Sequence, residues 1–421
     1  MLRPVTAAPP SAPAPRVRYR DVLADREYRS LFAADGLSVV GDQVTRIAVA
    51  LLVLERTGSA LAASATYAAS YLSWLLGGPV LSSLADRLPR RRVLLACDLA
   101  RAGLVALLAV PGLPLPLLFL LLTVVGLLAP PFDAARSALL ADVLDGERYV
   151  VGSALSSGVA NVGQLLGFLA GGALVALLGT SGALLVDAGT FLLSAALVAA
   201  GVRARPAPRG EEPLGRLRAE LVAGVRLVRG APVLRGLLGW AVLSAGVVAP
   251  AEALAVVLAR DAGGGPLAGG VLTAAVPAGY VLGVWAVLRL PAERRRALFP
   301  ALTAVSAVFL CLTPLVGSLP LLVALWVVAG TGTALHLVAN AAFVQAVPPH
   351  LRGRAFGVAG TALTASQGLV MLVAGGLAEV AGAAAAVASV SACALLVLLC
   401  VVLRPRSALQ EAVAPAEALG R

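Results

Sequence analysis

Long apolar runs, separated by short polar segments, dominate the pattern of this chain. Four of these runs within the first 140 residues already reach the roughly 20 residues that an α-helix needs to cross a bilayer. Windowed hydropathy predicts twelve runs, which we number as spans one to twelve in chain order. They are 30–54, 60–85, 93–111, 114–138, 150–178, 182–202, 232–258, 267–288, 297–316, 320–345, 355–380 and 383–403. The pattern therefore predicts an all-α membrane protein with twelve transmembrane helices.

Composition agrees with this interpretation. Of the 421 residues, 59% are hydrophobic and 13% are charged, whereas a soluble domain has roughly 45–50% and 25%. The mean hydropathy is +0.92. The four cysteines lie inside apolar runs, and the two histidines have no metal-ligand spacing around them. We therefore expect neither an enzyme nor a metal or other cofactor.

Arginine placement tests the span count. All 33 basic residues are arginine. With both termini on one side, every arginine lies on that side except Arg46 and Arg101 inside spans and Arg56 and Arg260 on the opposite side. Because cytoplasmic loops carry the excess of positive charge, this asymmetry predicts cytoplasmic termini and a location in the cell membrane. Topology then explains the net charge of +11, and no nucleic-acid partner is expected.

The longest interruption, 203–231, divides six spans from six. Its apolar residues recur at helical spacing, which predicts an amphipathic helix on the inner leaflet. The two halves share short sequence features that are separated by a near-constant number of residues. Gln164 in the first half corresponds to Gln367 in the second, and Arg87-Leu88-Pro89 corresponds to Arg289-Leu290-Pro291. This predicts two pseudo-symmetric six-helix bundles with a site between them. The predicted parts are a disordered cytoplasmic N-terminus at 1–29, a bundle at 30–202, the linker at 203–231, a bundle at 232–403 and a cytoplasmic tail at 404–421.

The loop between spans two and three carries a recognisable motif. It reads Ser82-Ser83-Leu84-Ala85-Asp86-Arg87-Leu88-Pro89-Arg90-Arg91-Arg92. It resembles the signature loop of the major facilitator superfamily, Gly-x-Leu-Ala-Asp-Arg-x-Gly-Arg-Arg, with Ser82 and Pro89 at the two glycine positions. The resemblance implies a conformational latch, in which Asp86 meets the N-terminal end of span eleven near Arg354. It further implies that Arg87 or Arg90 pairs with Asp133 or Asp142. Alternatively, the arginines only anchor the loop to the inner leaflet.

Span five contains a stripe of small residues. The segment Gly163-Gln164-Leu165-Leu166-Gly167-Phe168-Leu169-Ala170-Gly171-Gly172 is similar to the superfamily's antiporter motif, Gly-x-x-x-Gly-Pro-x-x-Gly-Gly, with Phe168 where proline stands. Gly163, Gly167 and Gly171 lie on one helical face, which permits close helix packing. We expect Gly279 and Gly283 of span eight to offer the matching small face. Ordinary close packing is the alternative to a role in export.

Further segments resemble one branch of the superfamily. Phe132-Asp133-Ala134-Ala135-Arg136, Val186-Asp187-Ala188-Gly189-Thr190-Phe191 and Arg352-Gly353-Arg354-Ala355-Phe356-Gly357 look like the branch that contains macrolide and enterobactin exporters. These segments lie in loops and on packing faces, so the resemblance implies a fold and not a substrate.

Ionisable residues inside the spans are functional candidates, because a charge at a helix centre costs roughly 2.5 kcal/mol or more. Asp35, Asp42 and Arg46 share one stripe of span one, and their spacing allows Asp42 to pair with Arg46 one turn away. Asp42 is either the proton-coupling carboxylate or half of a structural ion pair. Glu252 in span seven is a second coupling candidate, or else a solvated residue at the cavity mouth.

Further polar and aromatic residues are candidates for the substrate cavity. Packing is the alternative function for the aromatic ones, and a satisfied buried side chain is the alternative for the histidine. The cavity candidates are Tyr67, Tyr71, Gln164, His336, Asn340 and Gln367. In span three, Asp98 and Arg101 are expected to form a local pair.

These observations favour a secondary active transporter that exports small amphipathic compounds by alternating access. We expect a small-molecule substrate, protons as the coupling ion, the lipid bilayer as environment, and a monomer. One alternative is an uptake transporter of the same fold. The other is a membrane sensor or enzyme built on this scaffold, although the sequence offers neither a catalytic constellation nor an appended domain.

Overall fold

The structure is a computed structural model that describes residues 17–81, 88–206, 214–348 and 351–403. Helices fill most of these ranges, and no strand occurs in them. A membrane-spanning segment must satisfy its backbone N–H and C=O groups internally, which a helix does. The prediction of an all-α membrane fold is confirmed.

The first half of the chain forms six helical segments after a short helix, Tyr19–Leu23. A left-handed φ of 71° at Gly179 breaks the longest of them at the predicted turn between spans five and six. Glycine adopts this φ without the strain that a Cβ would cause. The helices are Arg26–Thr57 for span one, Ala60–Leu81 for span two, Arg90–Leu108 for span three, Leu115–Leu127 followed by Ala129–Val143 for span four, and Gly146–Gly201 for spans five and six.

Between the two halves, the predicted linker contains the helix Leu214–Gly230, which packs on span eleven. The second half begins at Pro232. One short 3₁₀ turn, Thr313–Leu315, follows span nine, and another, Gly332–Ala334, divides span ten into two helices. The helices are Pro232–Asp261 for span seven, Pro266–Leu288 for span eight, Phe299–Cys311 for span nine after the short Ala292–Ala297, Leu319–Thr331 and Leu335–Ala346 for span ten, Arg352–Ala381 for span eleven, and Ala383–Leu403 for span twelve.

Eight helical stretches in the described part of the chain are long and apolar enough to cross a membrane. One of the eight is the 56-residue stretch that breaks at Gly179. At 1.5 Å per residue it extends over about 80 Å, room for two crossings of a roughly 30 Å core. Span three begins with three arginines and also carries Asp98 and Arg101. The count of twelve spans stays a prediction.

Glycines allow the closest helix contacts, but not between all the spans that the sequence suggested. Cβ atoms placed at Gly279 and Gly283 of span eight would collide with the carbonyl oxygens of Val327 and Thr331 in span ten. The expectation that these two glycines face span five was therefore wrong. Helical spacing identifies a small face, but it does not identify the partner.

The interface between the two halves differs between its ends. We name these the arginine-poor end, near Thr57 and Asp261, and the arginine-rich end, near Arg26 and Leu403. In span eleven, Cβ atoms placed at Gly368 and Gly375 would contact span two. Cβ atoms placed at Gly357 and Gly360, nearer the arginine-rich end, would have no neighbouring atom within 4 Å. These contacts between the halves thus lie toward the arginine-poor end, while the two glycines nearer the arginine-rich end face open space.

Candidate functional site

A central cavity of about 300 Å³ lies between the two halves. Spans two and five line one wall, and spans seven, eight, ten and eleven line the other. Its chemistry combines aromatic rings, amides and hydroxyls with Glu252, the only acidic side chain among the described lining residues. The lining residues are Tyr71, Asn161, Gln164, Phe168, Val248, Glu252, Thr273, Val276, Pro277, Tyr280, Thr333, His336 and Gln367.

The structure places four of the predicted cavity residues on this lining: Tyr71, Gln164, His336 and Gln367. The other two lie elsewhere. Tyr67 is fully buried in the helix packing, and Asn340 is exposed.

Sequence reasoning missed Asn161 and Tyr280, which also line the cavity. The signal for Asn161 was present, since it precedes Gln164 by three residues and therefore shares its helix face. Tyr280 had no comparable signal.

A charged cluster joins the halves at one wall of the cavity. The Arg46 guanidinium of span one lies 3.7 Å from the Glu252 carboxylate of span seven. The Tyr71 hydroxyl of span two donates a hydrogen bond of 3.1 Å to the same carboxylate. Arg46 also lies 5.4 Å from the centre of the Tyr71 ring, within range of a cation–π contact. Two groups of the first half therefore hold Glu252, the acidic side chain that the second half contributes to the described cavity lining.

Asp42 does not form the pair that the sequence suggested. Its basic partner within 4.0 Å is Arg101 of span three, at 3.9 Å, while Arg46 turns to Glu252 and to the Gln43 amide oxygen. The expected Asp42–Arg46 pair was wrong. The i, i+4 rule describes an isolated helix, whereas the long guanidinium of Arg46 reaches a carboxylate on another helix.

Around Arg101 lies a buried polar network that belongs wholly to the first half. The guanidinium of Arg101 lies 5.4 Å from the ring centre of Phe132 and 5.5 Å from that of Phe191. Asp98 accepts a hydrogen bond of 2.7 Å from the Ser194 hydroxyl, and the carboxylate within 4.0 Å of Arg101 is that of Asp42. The expected local Asp98–Arg101 pair was therefore wrong. Asp187 of span six accepts hydrogen bonds from Thr45 and Thr190. Asp98 and Asp187 are fully buried, so this network is costly to disturb.

The third carboxylate of the span-one stripe, Asp35, lies nearer the arginine-rich end. Its oxygen is 3.1 Å from Arg136 of span four, which also contacts Asp133 at 3.6 Å. Asp133 is thus engaged with a neighbour on its own helix. Asp35 does not line the central cavity.

Part of the predicted latch can be described. The Arg90 guanidinium contacts the Asp142 carboxylate and donates a hydrogen bond of 3.2 Å to the Ala138 carbonyl. These contacts tie the start of span three to the end of span four. Asp86 and Arg87 lie outside the described residues, so the role of the latch stays a prediction.

The glycines of span five serve two different contacts. Cβ atoms at Gly163, Gly167 and Gly171 would contact span one, so this face packs inside the first half. A Cβ at Gly172 would lie 2.8 Å from the Gly270 Cα of span eight. Gly172 therefore allows close approach between the two halves near the arginine-poor end.

Comparisons with known proteins agree with this architecture. The profile of the Major Facilitator Superfamily matches residues 31–292. The multidrug efflux pump Tap of Mycolicibacterium fortuitum is 30% identical over 356 residues, which cover 80% of this chain and 86% of that protein. The uncharacterized MFS-type transporter YkuC of Bacillus subtilis (strain 168) is 26% identical over 181 residues, 42% of each chain.

Solved structures resemble the fold at low sequence identity. A crystal structure of a POT family transporter in complex with 5-aminolevulinic acid has a TM-score of 0.71 and 14% identity, covering 90% of this chain and 96% of that one. A bacterial homolog of the human lysosomal transporter Spinster, in an inward-facing and occupied conformation, has a TM-score of 0.68 and 15% identity, covering 94% and 95%. At this identity the likeness extends to the fold alone.

Proposed function

Because this chain belongs to the Major Facilitator Superfamily, whose members are multi-pass membrane transporters, we propose that it exports small amphipathic compounds in exchange for protons. The similarity to a multidrug efflux pump over 80% of the chain supports export. The observation that carries the coupling is the contact between Glu252 of one half and Arg46 of the other at the cavity wall.

The cavity chemistry suits an amphipathic substrate. Tyr71, Phe168 and Tyr280 offer flat apolar faces, while Gln164 and Gln367 offer amide donors and acceptors from opposite halves. Aromatic walls with a few polar groups bind compounds that carry both an apolar body and a polar head. Substrate binding would therefore engage both halves at once.

The orientation of the cavity supports an inward-open state. We take the arginine-rich end as cytoplasmic, with both termini on that side, from the positive-inside rule. The open space beside Gly357 and Gly360 then faces the cytoplasm, where an exporter collects its substrate. Rocking of the two halves around the cavity would next open the arginine-poor end.

Glu252 meets the requirement for a proton switch better than Asp42 does. Asp42 and its partner Arg101 both belong to the first half and would move together. Glu252 and Arg46 belong to different halves, so rocking would separate them. A carboxylate without its cation favours the neutral form, and the return of the cation favours ionisation. Glu252 would then take a proton in the outward-open state and release it in the inward-open state, as an exporter that exchanges protons requires.

An accumulation assay tests this function. Cells with and without the protein receive a panel of cationic, neutral and anionic amphipathic dyes and antibiotics, and cellular content is measured before and after a protonophore. We expect lower accumulation with the protein, and loss of the difference after the protonophore. Glu252→Gln should abolish the difference, whereas Glu55→Gln, an exposed carboxylate outside the cavity, should retain it.

Two results would overturn the proposal. Higher accumulation with the protein would indicate uptake, and an unchanged difference after the protonophore would exclude proton coupling. A reporter fused at Gly264 checks the orientation, since it should lie outside the cell while reporters after Arg205 and Arg404 lie inside.

A further inference from the structure

A cross-half contact at the arginine-poor end involves a carboxylate to which no role has been assigned. Glu379, near the end of span eleven, accepts a hydrogen bond of 2.5 Å from the Ser59 hydroxyl and one of 2.9 Å from the Leu61 backbone N–H. Ser59 and Leu61 flank the start of span two, which begins at Ala60. A helix N-terminus carries unsatisfied N–H groups and partial positive charge, so the carboxylate is electrostatically matched to this position.

A basic residue makes the opposite contact on the other side of the same turn. Arg260, near the end of span seven, donates a hydrogen bond of 3.4 Å to the Leu54 carbonyl. Leu54 lies in the last turn of span one, where carbonyl groups carry partial negative charge. The second half thus presents an anion to the start of span two and a cation to the end of span one, on either side of the turn at Gly58.

An arginine of the first half provides an internal comparison. Arg56 also donates to a backbone carbonyl, that of Leu113 in the turn before span four, at 2.7 Å. This contact stays inside the first half, whereas the Arg260 contact crosses between halves. Losing either bond removes one hydrogen bond from an arginine to a backbone carbonyl, but only the Arg260 bond links the two halves.

We propose that Glu379 and Arg260 form an outer clamp that holds the arginine-poor end closed and so sets the balance between inward-open and outward-open states. The clamp rests on the proposed alternating access but not on the nature of the substrate or coupling ion. Neither residue lines the central cavity, so both are positioning residues. Opening toward the outside must break the clamp, since the turn and its two partners lie on opposite halves.

Accessibility of a buried position beneath the clamp tests this role. Ser64 is fully buried in span two, and a Cβ at Gly375 of span eleven would lie 2.8 Å from its Cβ. In a variant whose four native cysteines are replaced, Ser64→Cys is labelled in intact cells with a membrane-impermeant maleimide. We expect Glu379→Gln and Arg260→Gln each to raise the labelling rate about two- to tenfold, because each loses a charge that favours the closed end.

Matched variants separate the clamp from general damage. Glu55→Gln and Arg56→Gln change charge at the same end without touching the other half, and should leave labelling unchanged. If Glu379→Gln and Arg260→Gln are labelled at the same rate as the two control variants, at equal membrane abundance, the clamp is overturned. Faster labelling in a protein that transports no compound in the panel would keep the clamp and overturn the export function.

Discussion

The two halves of this transporter handle charge in different ways. Every buried charged side chain among the described residues belongs to the first half: Glu27, Asp35, Asp98, Arg101 and Asp187. The second half packs with alanine, valine, leucine, serine and threonine, and contributes Glu252 at the cavity wall. The difference indicates a first half whose buried charges find hydrogen-bond or ion-pair partners within the first 206 residues, and a second half whose central carboxylate depends on the other half for its counter-charge.

The largest expected effect comes from breaking the network inside the first half. Arg101→Met removes the buried cation that faces Asp42 and acts on the fully buried carboxylates of Asp98 and Asp187, and removal of one member of a buried charge network typically costs about 3–5 kcal/mol. We expect a strong fall in folded protein, measured as membrane abundance and as thermal stability in detergent. Arg101→Met with Asp42→Asn should recover part of the loss. Full abundance of the single variant would mean that these carboxylates need no counter-charge.

Arg46→Met makes the same chemical change at the cavity, where we expect a different result. Arg46 and Glu252 are 19% and 17% exposed, so water in the cavity can stabilise Glu252 when it is alone. Abundance should stay near that of the parent protein, while proton-driven transport falls about tenfold, which corresponds to about 1.4 kcal/mol of preference between states. If abundance falls as far as in Arg101→Met, the cluster is structural.

Glycine variants compare contacts within a half and between halves. Gly279→Ala would place a Cβ against the Val327 carbonyl inside the second half, and overpacking of this kind costs about 1–3 kcal/mol. Gly172→Ala would press on Gly270 of the other half, which can move away, so we expect altered turnover at normal stability. Gly158→Ala, which faces open space, is the control. Thermal stability and transport rate together distinguish the two effects.

The smallest expected effect concerns the described part of the latch. Arg90→Ala or Asp142→Asn should slow transport about two- to fivefold, because a partly exposed ion pair contributes only about 0.2–1 kcal/mol. Substrate affinity should not change, since neither residue lines the cavity. Arg92→Ala, an exposed neighbour, is the control. Identical rates for all three variants would favour the simpler function of anchoring the loop to the membrane.

Hydropathy was sufficient to predict the fold, because each membrane helix is specified by its own apolar sequence and needs no distant partner. The candidate site depended on distant partners, and prediction was weaker there. The sequence identified Tyr71, Arg46 and Glu252 separately. It did not predict that they contact each other, because Glu252 belongs to the second half and no local sequence rule relates it to Arg46. Glycine spacing likewise identified Gly279 as a packing residue and assigned it the wrong neighbour.

The central claim is that Glu252 carries the coupled proton because rocking separates it from Arg46. The most direct test uses proteoliposomes with an imposed pH gradient, in which substrate flux and internal pH are recorded together. The parent protein should move substrate against its concentration gradient while protons move in the opposite direction. Glu252→Gln should exchange substrate only down its gradient, with no linked proton movement. Uphill transport by Glu252→Gln at the parent rate would contradict the account.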